Sequence, residues 1–237
     1  MLLQEVFDQL STGELRHLEL GNFEGEGGIL PKFYPVLINH INVGLQALHN
    51  RFVLSTKEII IQQHEITTQY LLNNRFAVTN TESTELNKYI KDSEMRPFKN
   101  DLLKVERIYD ECCNEVFLND SAYCCSMFML SYNLLQIPLP CHEQHLSIVY
   151  RAGHPVIKYT ENFDPSTIEL NLPYYLLEAL LFYVASRLYA TNGLQGQDVD
   201  SVSYFARYQN VCNRVDHAGL ISRDFPTECR FEVGGWL

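Results

Sequence analysis

Between Pro173 and Ala190 the chain reads PYYLLEALLFYVASRLYA, a run that is apolar around its whole circumference. Leu176, Leu180, Val184 and Leu188 fall on one helical face and Tyr175, Phe182, Tyr183 and Tyr189 on another, so both faces need partners. The spacing predicts a central helix, either wholly within the core or shared between core and a subunit interface. Glu178 and Arg187 within the run, and tyrosine where a lipid-facing helix would carry leucine, make it a poor membrane span.

The same 3.6-residue period appears at three other places. Leu3, Val6, Phe7 and Leu10 predict a short N-terminal helix broken at Ser11-Thr12-Gly13 and resumed over residues 14–18. From Pro35 to Phe52, Leu37, Ile41, Leu45, Leu48 and Phe52 predict an amphipathic helix with proline in its first turn. Gly44 inside it costs about 1 kcal/mol relative to alanine, which suggests another backbone close by. Residues 200–217 predict a last helix, with Val202, Phe205, Gln209, Cys212 and Asp216 marking neighbouring rows and Val211 and Val215 completing the apolar stripe.

Between these helices the period drops to two. Residues 57–62 and 65–72 are rich in β-branched side chains, and Leu103, Val105 and Ile108 alternate with charged residues before Val116-Phe117-Leu118. That pair reads as a β-hairpin with its turn at Glu111–Asn114, and residues 134–137 and 146–150 continue the strand pattern. Residues 73–87, including Thr79–Thr84 (TNTEST), are polar turn formers and read as a mobile loop. Residues 21–28 hold four glycines and two acids and read as a loop or lid. The result is an α+β fold: a helical core built from an N-terminal part (1–56) and a C-terminal part (171–222), a small antiparallel β insertion (57–170), and an extended tail (223–237).

Composition sharpens this picture. A chain of 237 residues with 46% hydrophobic content can bury a substantial core. Its net charge of −11 argues against gripping nucleic acid through phosphates, which takes a concentrated basic surface. The start, MLLQEVFDQL, has acids where a signal peptide has basic residues, so synthesis in the cytoplasm is expected. Seven cysteines, with vicinal pairs at Cys112-Cys113 and Cys124-Cys125, do not resemble a disulfide framework and read as reduced, small core hydrophobes.

Candidate chemistry is sparse. Cys141-His142-x-x-His145, with His154 further on, offers zinc-type donors at the wrong spacing, and solvated loop histidines are the simpler reading. Seven thiols and eight imidazoles pair by chance, and a nucleophile needs an activating base and an orienting third group. Asp8 with Glu14, and Glu161 with Asp164, lie on polar segments that suit solvated charges. Neither enzyme nor cofactor chemistry is expected. The tail FPTECRFEVGGWL, with Phe231 and Trp236 around Val233-Gly234-Gly235, has the look of a peptide that docks on a partner.

The order of short motifs along nearly the whole chain carries a resemblance. Phe7-x-x-Leu10-x-x-Gly13-Glu14-Leu15 is followed by Ile41-Asn42-x-Gly44-Leu45-x-Ala47-Leu48-x-x-Arg51-Phe52, then Arg96-Pro97-Phe98-x-x-Asp101-Leu102 and Leu118-Asn119-Asp120. Tyr150-Arg151-Ala152-x-His154-Pro155, Leu172-Pro173 and Phe231-x-x-x-Gly235-Trp236-Leu237 complete the series. Together they resemble the head-to-tail adaptor (connector) proteins of tailed bacteriophages.

The resemblance implies a structural virion protein at the head–tail junction, forming a homo-oligomeric ring, typically a dodecamer. Such a ring joins the portal protein of the capsid to the nozzle or tube proteins of the tail. It passes double-stranded DNA through its lumen without specific binding, and the acidic composition suits such a conduit. Carried over by residue, Phe231, Gly235, Trp236 and Leu237 would clasp the portal, and the helices of 42–52 and 176–188 would form the ring body. Tyr175, Phe182, Tyr183 and Tyr189 would then lie at the subunit interface. Cys112-Cys113 stands in a hairpin turn where a glycine is expected. The alternative is a monomeric or dimeric soluble phage or bacterial module that binds protein or DNA.

Overall fold

The computed structural model describes residues 1–18, 28–123, 125–191 and 197–221. The chain is α+β and divides into two compact units. The expected lid lies almost wholly outside the described residues, and so does the whole tail from 223 to 237.

One unit comprises Met1–Phe52 and the described part of His154–Ser222. It holds four helices: α1 (Leu3–Thr12), α2 (Tyr34–Arg51), α3 (Leu177–Thr191) and α4 (Gln197–Ala218). The expected stripe of α1 is buried to the last residue, with Leu3, Val6, Phe7 and Leu10 all at 0% exposure. On α2, Leu37, Ile41, Leu45 and Leu48 are likewise inside.

Residues 154–170, which pattern alone assigned to the β insertion, fall in this helical unit. Backbone pairing with the N-terminus holds them there, since the Leu3 N–H donates to the Ile168 carbonyl at 2.9 Å and the Leu170 N–H to that of Met1 at 2.8 Å. The Asn42 side chain adds a second hold. Its Nδ2 donates to the Ile157 carbonyl and its Oδ1 accepts the Ile157 N–H, both at 2.9 Å, so one amide substitutes for a neighbouring strand.

The other unit includes Val53–Gly153. Its strands are β1 (Thr56–Gln62), β2 (Gln69–Leu71), β3 (Ile90–Lys91), β4 (Leu102–Tyr109), β5 (Glu115–Val116), β6 (Phe128–Ser131), β7 (Leu134–Gln136) and β8 (His145–Ala152). They form a five-stranded sheet in the order β3-β1-β8-β4-β5 and a three-stranded sheet β2-β7-β6, and every strand pair is antiparallel. Side chains of both sheets share one core, with Ile59 and Ile61 of β1, Tyr70 of β2, Leu135 of β7 and Leu146, Ile148 and Tyr150 of β8 at its centre.

The expected β-hairpin is β4–β5, and its turn is tied by Asp110. That carboxylate accepts the Asn114 N–H at 2.8 Å, and the Asp110 carbonyl accepts the Cys113 N–H at 3.0 Å. Cys113 adopts φ +62°, the conformation that favours the glycine expected there.

Two expectations need correction. The polar segment 73–87 is fastened rather than loose: Thr79 donates its N–H to Asp92 at 3.0 Å, the Val78 N–H reaches the Ile90 carbonyl at 3.0 Å, and Phe76 stacks on Tyr89 at 4.7 Å. Short polar side chains that look like solvent-facing turn formers here serve as backbone partners, since Asn80 donates to the Asn74 carbonyl at 3.2 Å and Asn73 accepts the Arg75 N–H at 3.1 Å. The cysteines are mostly not core hydrophobes. Of the described ones, Cys112, Cys125 and Cys141 are exposed, Cys113 is intermediate, and only Cys212 is buried.

Candidate functional site

The leucine face of α3 is core, with Leu176, Leu180 and Val184 at 0% exposure and Leu188 at 5%. Its aromatic face meets α4 of the same chain. The Tyr183 ring stands edge-on to Tyr208 at 5.2 Å, and Tyr189 stacks on Tyr204 at 5.3 Å and 13°. The Tyr189 hydroxyl donates to the Glu14 carbonyl at 2.9 Å, and the Tyr183 hydroxyl accepts from Arg187 at 3.1 Å. These two expected interface residues are therefore 4–5% exposed inside one subunit.

Tyr175 and Phe182 differ. Tyr175 is 39% exposed and Phe182 is half-buried, with the Arg207 guanidinium 5.9 Å from its ring. A partner could reach this pair, together with exposed Tyr174, Val202 and Phe205. The covering residues Tyr204 and Tyr208 stand four apart, the spacing of one helix face, and that was the available signal for an internal aromatic partner.

Gly44 is where α2 and α3 approach closely, though side chains rather than backbone come near. A Cβ there would lie 2.8 Å from Leu180 Cδ1 and 3.1 Å from Tyr183 Cδ1. At the end of α2, Arg51 donates to Asp216 at 2.8 Å and to Asn213 at 2.7 Å, which fastens α2 to α4. Also in this unit, His49 is 1% exposed and its ring centroid is 5.6 Å from that of His154. His154 Nδ1 lies 2.7 Å from the Pro155 carbonyl, and its Nε2 accepts the Asn171 N–H at 3.2 Å, which sets a neutral imidazole with its proton on Nδ1. Burial pushes its pKa down from the ordinary value.

In the β unit a pocket of about 560 Å³ opens along β1, between Thr56–Ile59 and residues 95–99. Lys57 pairs with Asp101, and the Tyr150 hydroxyl donates to the same carboxylate at 3.0 Å. Burial, followed by the Asp101 charge, pushes the Tyr150 pKa up. On the opposite face of the sheet the fully buried Ser147 hydroxyl donates to Glu58. The buried Tyr109 hydroxyl, also in the lining, has no hydrogen-bond partner among the described residues.

The candidate metal ligands are dispersed. Exposed His142 lies 3.8 Å from Glu143, and Cys141 donates its N–H to Gln63. His145 opens β8 with its Nδ1 2.9 Å from Glu111, and His154 belongs to the helical unit. No group of three His, Cys, Asp or Glu side chains among the described residues is placed to hold a metal. Asp8 bonds Gln4, and Asp164 caps the turn at Ser166. Burial raises the pKa of the Cys212 thiol, the reverse of what activates a nucleophile.

Phe231, Gly235, Trp236 and Leu237, the expected portal-binding residues, lie outside the described residues. No helix among the described residues is long and apolar enough to cross a membrane. No protein-family model matches the chain, and no curated protein matches it in sequence.

Proposed function

We propose that the chain is a head-to-tail adaptor of a tailed bacteriophage, a structural virion protein whose copies form a dodecameric ring between the portal and the tail. The observation that carries this reading is the ordered series of motifs from Phe7 to Trp236. Several of those residues fasten the fold: Asn42 straps residue 157, Gly44 admits Leu180 and Tyr183, and Asp101 takes the Gly153 N–H at 2.7 Å. A net charge of −11 per copy suits a lumen that repels phosphates and lets duplex DNA slide. The lateral contact draws on Tyr175 and Phe182, which keep exposed surface.

In this reading the clasp is Phe231 with Gly235, Trp236 and Leu237, and the role is mechanical rather than catalytic. Deleting residues 230–237 leaves the fold intact and abolishes stable attachment to the portal, measured by co-sedimentation of the purified proteins. Normal attachment of the shortened chain would refute the clasp. Native mass spectrometry with portal present separates the ring from the alternative, a soluble binding module, which stays monomeric or dimeric. Salt-sensitive binding of duplex DNA by the ring would overturn the conduit.

A further inference from the structure

The pocket beside β1 is lined by Tyr109 of β4 and Ser147, Val149 and Tyr150 of β8, and it reaches the sheet edge at Thr56 and Glu58, where the hydrogen bonds fix which backbone groups face outward. The Ala152 N–H donates to the Ser55 carbonyl and the Gln63 N–H to that of Gln144, so the odd-numbered residues of this strand direct their backbone groups toward β8. The Gln62 N–H instead donates to the Tyr89 carbonyl at 2.8 Å, so the even-numbered residues face the β3 side. β3 covers β1 only at Ile60 and Ile61 among the described residues. After it the chain turns back at Ser93–Arg96, where the Arg96 N–H meets the Ser93 carbonyl at 2.9 Å. The outward N–H and C=O groups of Thr56 and Glu58 therefore border the pocket, and neither N–H has a partner among the described residues.

An edge with alternating donors and acceptors is matched by another extended backbone, which is how peptides add to sheets. The tail contains such a segment. From Thr227 to Val233 the sequence TECRFEV alternates strictly, with Thr227, Cys229, Phe231 and Val233 on one side and Glu228, Arg230 and Glu232 on the other. Pro226 precedes it and Gly234-Gly235 follows, so its ends are marked as those of a short strand. The charges also match. Exposed Arg96 and Lys99 on the far wall suit Glu228 and Glu232, and Glu58 suits Arg230, while exposed Met95 offers apolar surface to the other side.

We propose that residues 227–233 of this chain dock as an added strand on the open edge of β1, parking the tail when no portal is present. The site accepts an extended peptide through the backbone of Thr56 and Glu58. The parked strand contains Phe231, so tail docking and portal clasping use overlapping residues and exclude one another.

Amide hydrogen exchange of the full-length protein, followed by mass spectrometry without portal, tests this. Two variants break the groove. Thr56→Pro removes an outward N–H at the first residue of the strand, where proline is tolerated. The double variant R96E/K99E changes only exposed side chains, so it serves if the proline variant fails to fold. The amides of 228–233 are expected to exchange at least about tenfold faster in each variant than in the wild type. Equal exchange in all three proteins, whether fast or slow, would overturn the proposal. So would a protected Thr56–Glu58 edge beside a freely exchanging tail, which would assign the groove to another occupant. The clasp is read from portal attachment of the shortened chain and the docking from exchange in its absence, so either can fail alone.

Discussion

The helical unit and the β unit leave different groups unmet: exposed side chains such as Tyr174, Val202 and Phe205 in the first, an open strand edge in the second. In the helical unit the aromatic face of α3 is largely met by Tyr204 and Tyr208 of α4, and the strap at 157 is held by Asn42. Its described positive-φ residue is a glycine, Gly219. The β unit leaves an open edge at β1, an exposed stacked pair in Phe117 and Tyr123 at 3.8 Å, and exposed Leu130 and Tyr132. All four described non-glycine residues at positive φ lie there: Asn100, Cys113, Asn119 and Glu143. Apolar excess in a helix is therefore weak evidence for an interface until its own chain has been searched for a partner. The unit with unmet backbone groups is the better place to look for one.

The largest effects should separate the two pairs on α3. Truncating Tyr183 or Tyr189 to alanine removes a buried ring and should cost about 3 kcal/mol, while Tyr175→Ala should cost under about 1 kcal/mol. Urea unfolding of the protein without portal measures both. A Tyr175 effect as large as that of Tyr183 would mean that the proposed neighbouring-subunit contact already forms in the isolated protein, and would blur the contrast between the units.

The contrast also marks what a reader of the sequence could reach. Helix α1 was legible because four residues at 3.6 spacing have one destination, and β8 because Leu146, Ile148 and Tyr150 have another. The division at residue 153 was not, since 154–170 has no periodicity and is held by contacts from distant parts of the chain, among them Asn42, the Tyr34 and His49 rings and backbone bonds to the N-terminus. The destination of the α3 aromatics was half legible. Periodicity tells which side chains share a face but not which element covers it. The β1 edge was invisible, because an open edge depends on where β3 stops rather than on the residues of β1.

A smaller effect, confined to acid, should belong to the helical unit. Burial, then the nearby His49, holds the His154 pKa below its ordinary value, partly offset by the Pro155 carbonyl. The unfolded chain therefore takes up a proton first as pH falls. The stability from neutral His154 is full above about pH 6.5 and is lost as pH drops through the lower folded value, because a proton on Nε2 displaces the Asn171 N–H. His154→Gln, which can still accept that N–H, should flatten the acid slope of the urea midpoint. An unchanged slope would move the effect elsewhere, first to His40, whose pKa is also lowered by burial and then by Arg187.

The smallest effect tests the strain held in the β unit. Cys113 sits at φ +62° in the β4–β5 turn, while Asp110 supplies the bonds that close the turn. A left-handed conformation costs a residue with a Cβ about 1–2 kcal/mol, and glycine escapes that at a penalty of about 0.5–1 kcal/mol in unfolded-chain entropy. Cys113→Gly should therefore stabilise the β unit by roughly 0.5–1 kcal/mol, read as a higher urea midpoint with unchanged slope. Cys113→Asn should gain less, since asparagine tolerates this conformation better than cysteine but keeps its Cβ. The reverse outcome, with both variants destabilised, would mean that contacts of the Cys113 side chain outweigh the backbone cost. The turn would then be held by its thiol rather than strained around it.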